Sequence, residues 1–236
     1  MHDDAVSHLP DSFRALVIGA GGGIGSAFVE RLRADGRCAG VQALGRHTEP
    51  ALDFTREETV AEAAAALRGH APWHLVIVAS GVLHTPAAQP EKRLADLRLD
   101  AMQEVFRVNT FGPALVLRHF APLMDRQHSV MALLSARVGS IGDNRLGGWY
   151  SYRASKAALN MLVKTAAIEM RRTHPGAVLV ALHPGTVASA LSRPFRGEEI
   201  GRPASQAAQE MLQVLEDLRP EDSGSFVAWD GQVLPW

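Results

Sequence analysis

The chain has 236 residues, 47% of them hydrophobic, 21% charged and 6% aromatic, a globular composition whose length suits one large α/β domain or two small ones. Its 24 Lys and Arg against 25 Asp and Glu leave a net charge of −1, which excludes the strongly basic balance of a nucleic-acid binder. The single cysteine, Cys38, excludes a disulfide framework and a multi-thiolate zinc site.

One cysteine also makes a reducing compartment the default. The first dozen residues are polar and acidic, with no apolar segment behind a basic start, as a secretory signal would need. The longest apolar stretch, around residues 75–83, is too short to cross a bilayer. A cytoplasmic protein without membrane contact is expected. Residues 1–12 read as a flexible N-terminus and 13–236 as a single domain, with no linker, repeat or low-complexity segment.

Short apolar runs alternate with amphipathic stretches along the chain. Residues 14–20 (RALVIGA) read as a buried strand, since a continuous apolar run ended by glycine suits a strand covered on both faces. Residues 24–34 have helical spacing, 41–44 form a second strand, and Leu52 marks a possible third before the helical stretch 56–68. The strong strand 75–79 follows. Helical periodicity then runs from 97 to 124, interrupted at Gly112-Pro113. Residues 130–134 are a strand and 135–148 a glycine-rich segment. Residues 152–172 put Leu159, Leu162, Val163, Ala166 and Met170 on one helical face. A strand at 178–182, a helix at 205–218 and a strand at 226–229 complete the chain. This alternation predicts an α/β fold: a doubly wound, Rossmann-type parallel sheet of about seven strands with helices on both faces.

The first strand runs into Gly19-Ala20-Gly21-Gly22-Gly23-Ile24-Gly25. Glycines let the backbone turn sharply and approach a pyrophosphate, and the free N–H groups of the following helix then face the anion. The segment does not fit G-x-G-x-x-G, because Ile24 stands where the third glycine would fall. It fits G-x-x-x-G-x-G through Gly19, Gly23 and Gly25. The second strand ends in Leu44-Gly45-Arg46-His47, with no carboxylate for ribose hydroxyls. A guanidinium at Arg46 suits the extra phosphate of NADP, so NADP(H) is expected over NAD(H). A solvated loop arginine is the plain alternative. Asp53 has two readings, an acceptor for the adenine amino group or a cap for the next helix.

Tyr152 and Lys156, from only two tyrosines and three lysines, stand one helical turn apart on one face. A phenol titrates near pH 10, and a neighbouring ammonium favours the phenolate, so such a pair can exchange a proton with a carbonyl or alcohol. Pro113 has no N–H to offer the carbonyl of Asn109 four residues earlier. That predicts a kinked helix with a carbonyl free for water, or a kink made only for packing. The ten histidines are scattered without metal-ligand spacing, and a G-x-S-x-G elbow is absent, so no catalytic metal and no serine hydrolase is expected.

With the glycine loop, these residues make the chain resemble the short-chain dehydrogenase/reductase family over nearly its full length. The resembling pieces are Gly19-x-x-x-Gly23-x-Gly25, Asp53-Phe54-Thr55, Val108-Asn109-Thr110, Ser135, Tyr152-x-x-Ser155-Lys156 and Pro184-Gly185. The resemblance implies an oxidoreductase with a catalytic tetrad of Asn109, Ser135, Tyr152 and Lys156. The tyrosine would exchange the proton, the lysine lower its pKa and bind the nicotinamide ribose, the serine orient the substrate oxygen, and the asparagine backbone hold a relay water. It also implies cofactor contacts from Gly19, Gly23, Ile24, Gly25, Arg46, Asp53, Ser80, Gly81, Lys156, Pro184 and Gly185. Ser189 would reach the nicotinamide carboxamide, and residues 189–202 would form a substrate lid.

Two positions depart from the family pattern. Val78-Ala79-Ser80-Gly81 replaces an asparagine-rich turn, and Ala136 stands where many relatives carry a second serine. Ser135 is the expected catalytic serine and Ser140 its competitor, since one step along a strand turns a side chain to the other face. Residues 135–160 resemble the branch that includes C-factor signalling proteins and sniffer-type carbonyl reductases. Trp149 and Tyr150 would then line the pocket mouth, or act as a packing staple. The expected substrate is a small carbonyl or alcohol, in a homodimer or homotetramer joined through the two long central helices. A nucleotide-binding signalling protein with little or no turnover is the alternative function.

Overall fold

In the computed structural model, which describes residues 8–84, 89–195 and 197–236, the apolar runs pair edge to edge. β1 (Phe13–Ile18) lies between β2 (Cys38–Leu44) and β3 (Leu75–Val78), followed by β4 (Ser129–Leu134), β5 (Ala177–His183) and β6 (Phe226–Ala228). The order is β2-β1-β3-β4-β5-β6, and every pair is parallel. Because β2 and β3 leave β1 in opposite directions, the strand order reverses at β1 and β3. Their carboxyl ends open the crevice where such sheets bind ligands.

Among the described residues the sheet has six strands rather than about seven. Leu52 forms no strand: its N–H donates to the Gly45 carbonyl (2.9 Å) and its side chain is buried in the core. Leu52-Asp53-Phe54 alternates over only three residues, too short a run to mark a strand.

Alternate strand residues feed two cores. Leu16, Ile18, Val76, Val78, Met131, Leu133 and Leu179 face α2 (Glu57–Leu67), α4 (Gly112–Phe120) and α5 (Tyr150–Met170). Ala15, Val17, Leu75, Ile77, Val130, Val178 and Val180 face α1 (Gly23–Ala34) and α7 (Ala204–Asp217). Phe28 of α1 is fully buried in the second core. Phe28→Ala is expected to cost about 3–5 kcal/mol, measured as a fall in the denaturant midpoint. A midpoint that does not move would contradict this packing.

The helical region expected at 97–124 is divided. α3 (Leu99–Phe106) runs into a π-helical turn, Arg107–Phe111, and α4 then starts at Gly112. The Gly112 N–H donates to the Arg107 carbonyl five residues back. A widened turn therefore accommodates Pro113, and π turns of this kind recur at functional sites. A Cβ on Gly112 would lie 2.2 Å from the Phe54 ring, so the close packing requires glycine.

Residues 1–7 of the expected flexible N-terminus lie outside the described residues. Residues 8 and 9 are packed: the His8 N–H donates to the Glu216 carbonyl (3.2 Å), His8 Nε2 lies 2.8 Å from the Gly176 carbonyl, and Leu9 is buried. An apolar anchor next to α7 overrides the polar composition around it. Among the described residues no helix is long and apolar enough to cross a membrane, and no group of three or more His, Cys, Asp or Glu side chains is placed to hold a metal ion.

Candidate active site

Gly19 follows β1 at φ +85°, and a Cβ there would stand 2.7 Å from the Ser80 backbone nitrogen. The turn after β1 and the turn after β3 thus touch backbone to backbone. Gly19 and Ala20 N–H both donate to the Leu44 carbonyl (2.9 and 3.1 Å), tying in the end of β2. A Cβ on Gly25 would meet the Gly19 carbonyl oxygen at 2.2 Å. By contrast, nothing lies within 4 Å of a Cβ on Gly21, and Gly22 and Gly23 meet only ordinary contacts.

Two glycines therefore close the turn, while three leave its outer backbone open. α1 begins on this open stretch with no acidic residue in its first turn, so the N–H groups of Gly23, Ile24 and Gly25 present a positive helix end. Ser189 Cβ stands 3.7 Å from where a Gly23 Cβ would be, which brings the start of residues 189–202, the segment expected as a lid, across from the glycine loop.

Arg46 is exposed just past the end of β2. Asp53 Oδ1 accepts from the Thr55 N–H and hydroxyl, each at 2.9 Å, and the Thr55 N–H foremost holds its carboxyl below the usual range. The cap position of α2 is Arg56, so Asp53 closes the turn before the helix rather than capping it. Ser80 Oγ is buried without a hydrogen-bond partner, and a Cβ on Gly81 would lie in ordinary contact with Asn109 Oδ1 and Lys156 Nζ, 3.7 Å from each. A groove with a bare helix end, an orphaned hydroxyl and glycine-lined backbone fits a dinucleotide.

The π turn aims Asn109 into the site. Its side chain accepts from the Val82 N–H (2.9 Å) and donates to the Val82 carbonyl (2.8 Å) and to Ser155 Oγ (3.1 Å). Ser155 Oγ donates to the Tyr152 carbonyl (2.8 Å), and Thr110 Oγ1 donates to the Ser155 carbonyl (2.9 Å). These bonds lock the loop after β3 to the first turns of α5.

Tyr152 and Lys156 are both buried there, with Nζ 5.9 Å from the phenol ring centroid and donating to the Leu134 carbonyl (2.8 Å). Burial pushes the Tyr152 phenol up to about 12 and the Lys156 ammonium down to about 7. The spacing alone predicts a lowered phenol. Desolvation outweighs that attraction here, since the lysine is itself buried and its bond goes to Leu134.

The two serines and the alanine after β4 have different partners. Ser135 Oγ donates to Asn160 Oδ1 (2.6 Å), and Ser140 Oγ accepts from the Asp143 N–H (3.1 Å). The residue packed against Tyr152 is Ala136, together with Leu83, Val138, Trp149, Leu191 and Phe195. Trp149 stands edge-on to Phe195 (centroids 5.0 Å apart) and to Tyr152 (6.3 Å), and His84 lies 6.1 Å from Phe195. An apolar wall thus surrounds the phenol, built from the β3 loop, the start of α5 and the lid segment. Leu83, His84, Leu191 and Phe195 carry no sequence motif, and only long-range packing identifies them.

After β5, Gly185 sits at φ +70°, and a Cβ there would stand 2.5 Å from Arg202 Nη2 and 2.8 Å from Trp229. Arg202 stacks on Trp229 (3.5 Å), donates to the Pro184 carbonyl (2.6 Å) and pairs with Glu210. Its backbone bonds to Thr186 and Ala188, so it pins both ends of the lid segment. Burial foremost, then the charges of Arg137 and Arg202, hold His183 down to about 4, and it accepts from the Arg137 N–H (3.3 Å). The Ser189 N–H donates to Ser192 Oγ (3.1 Å).

The short chain dehydrogenase family profile matches residues 14–199. The chain is 33% identical to 1-hydroxy-2-glutathionyl-2-methyl-3-butene dehydrogenase of Rhodococcus sp. over 230 residues, 94% of this chain and 98% of that protein. It is 37% identical to C-signal of Myxococcus xanthus over 145 residues, 61% of this chain and 83% of that one. The fold superposes on an NADPH-bound carbonyl reductase from chicken fatty liver with a TM-score of 0.83 at 26% identity, covering 98% and 96% of the two chains. It also superposes on the Drosophila melanogaster carbonyl reductase Sniffer with a TM-score of 0.81 at 20% identity, covering 96% and 100%. The chain belongs to the short-chain dehydrogenase/reductase family and is an NAD(P)-dependent oxidoreductase.

Proposed function

We propose that this protein reduces carbonyl compounds with NADPH, Tyr152 donating the proton. The observation that carries this reading is the Tyr152–Lys156 pair, buried under an apolar wall and joined by hydrogen bonds to the loop beside the nucleotide crevice. When bound, the cofactor supplies the hydride. The glycine-loop N–H groups and the α1 terminus hold the pyrophosphate, Arg46 the additional phosphate, and the spare Asp53 oxygen the adenine amino group. Ser80 and Gly81 line the ribose side, Pro184, Gly185 and Ser189 the carboxamide side. Lys156, which donates to the Leu134 carbonyl here, would hold the ribose hydroxyls.

Burial keeps the phenol protonated at neutral pH, the state that a reduction consumes. As a hydride adds to the carbonyl carbon, the Tyr152 O–H bond breaks and its proton goes to the carbonyl oxygen. The Asn109 carbonyl and Lys156 then return a proton from water. Ser135 serves this reading as a positioning residue, holding Asn160 one turn beyond Lys156. The Ala136 methyl leaves Tyr152 as the hydroxyl that meets the substrate oxygen. Exposed Phe111, Met161 and Ile168 support the expected self-association through the central helices. NADPH oxidation across aldehydes, ketones and quinones tests the reading. Because the Rhodococcus relative is named a dehydrogenase of a 1-hydroxy compound, oxidation of primary as well as secondary alcohols, thioether-bearing ones included, belongs in the same assay.

The preference for NADPH rests on Arg46 and on the likeness to the NADPH-bound carbonyl reductase from chicken fatty liver. Arg46→Ala is expected to weaken NADPH binding by about 10- to 100-fold and leave NADH unchanged, read by fluorescence titration. Equal effects on the two nucleotides would remove Arg46 from the phosphate. A second reading, a nucleotide-binding signalling protein, is favoured by the likeness to C-signal and by Ala136 beside the tyrosine. Tight NADPH binding with no turnover on any carbonyl would select it.

A further inference from the structure

We propose that Glu91 is a positioning residue for the Tyr152 reaction: from the loop after β3 it clamps the first turn of α5 and holds Trp149 and Tyr152 against each other. This rests on the carbonyl-reductase reading.

The start of α5 has an unusual problem. Its cap residue is Trp149, which has no side-chain oxygen to accept the unpaired N–H groups of the first turn. Gly147, Gly148 and Trp149 are all left-handed, at φ +63°, +65° and +52°. Two glycines adopt that backbone freely, but an aromatic residue does so only when its surroundings impose it.

Glu91, 60 residues earlier, supplies what is missing. Its carbonyl accepts from the Trp149 N–H (2.5 Å), and its carboxylate accepts from the Ser151 N–H (3.2 Å) and the Ser151 hydroxyl. The carboxylate is buried, 6% exposed, and its charge faces the positive end of the helix. From the other side, the Arg153 guanidinium donates to the carbonyls of Gly147, Gly148 and Val138 (3.0, 2.9 and 3.2 Å). The left-handed turn is therefore held at its N–H groups by Glu91 and at its carbonyls by Arg153.

What the turn fixes is the site itself. Trp149 is the wall that meets both Phe195 and Tyr152, and Ser151 directly precedes the tyrosine. Glu91 also belongs to the loop whose other end, Val82, is fixed by Asn109. Glu91 thus registers the β3 loop, the aromatic wall and the phenol together, its carbonyl through Trp149 and its carboxylate through Ser151. A small misplacement of a proton donor lowers turnover without touching the nucleotide groove.

Glu91→Ala, Glu91→Gln and Ser151→Ala are compared with the unaltered protein using NADPH and its best carbonyl. Glu91→Ala is expected to lower kcat by about 10- to 100-fold with the KM for NADPH within about twofold. Glu91→Gln keeps one acceptor oxygen and recovers part of that loss, and Ser151→Ala gives a smaller loss in the same direction. Amide exchange at residues 149–151 should quicken in Glu91→Ala while the strand amides stay protected. If Glu91→Ala does not fold, Glu91→Gln and Ser151→Ala carry the kinetic comparison. Unchanged kcat in the folded variants, or equal damage to kcat and NADPH binding without rescue by glutamine, would overturn the proposal. An unaltered protein with no turnover would sink the functional reading instead. Exchange at 149–151 would then decide the clamp, with quickened exchange upholding it and unchanged exchange refuting it.

Discussion

Tyr152→Phe is expected to lower carbonyl turnover by about 10²- to 10⁴-fold while NADPH affinity stays within about twofold. The change removes one oxygen from a side chain whose ring is already buried among Leu83, Ala136, Trp149 and Phe195. The ring packing survives, so the loss reads the proton and not the fold. The Ala136 methyl sharpens the expectation. With Ser135 donating to Asn160, no hydroxyl at 135 or 136 stands ready to substitute for the phenol. Steady-state kinetics with fluorescence titration of NADPH checks both halves. Turnover within a few fold of the unaltered protein would take the proton step away from Tyr152.

Gly25→Ala is the second large effect, and it acts on the nucleotide groove. A methyl group there would sit 2.2 Å from the Gly19 oxygen and 2.9 Å from the Gly19 carbonyl carbon, both backbone atoms that cannot swing aside. Either α1 lifts from β1 or the turn opens, and both move the N–H groups that face the anion. The expected cost is about 1–3 kcal/mol of stability, with NADPH affinity falling at least about tenfold. Gly21→Ala is the control: nothing lies within 4 Å, so stability should change by less than about 0.5 kcal/mol. Thermal melts of the two variants separate a packing requirement from mere glycine content. Equal melting of both would contradict the close approach.

The contrast between Gly21 and Gly25 also marks how far the sequence could be read. Strand and helix alternation, the glycine loop and the Tyr152–Lys156 spacing are local patterns, and each appears in the structure where the sequence places it. Leu52 shows the limit for strands, since the alternation Leu52-Asp53-Phe54 is too short to distinguish a strand from a turn. The π turn at 107–111 shows it for helices: Pro113 announces an irregularity but not its form, and the Phe54 ring that packs against Gly112 comes from another segment. Ser135 and Ala136 differ by one residue, and only the register of β4 decides which of them meets the phenol. Leu83, Glu91, Leu191 and Phe195 reach the site from the β3 loop and the lid segment. Contacts that distant leave no spacing in the chain to recognise.

The central claim is hydride delivery to a carbonyl carbon beside the Tyr152 phenol. It is tested most directly by incubating the protein with NADPH deuterated at the transferring position and a panel of carbonyl compounds, then examining the alcohols by mass spectrometry. One deuterium on the carbinol carbon, absent from the Tyr152→Phe reaction, is the predicted result. Saturable NADPH binding with no deuterated alcohol from any carbonyl would contradict it.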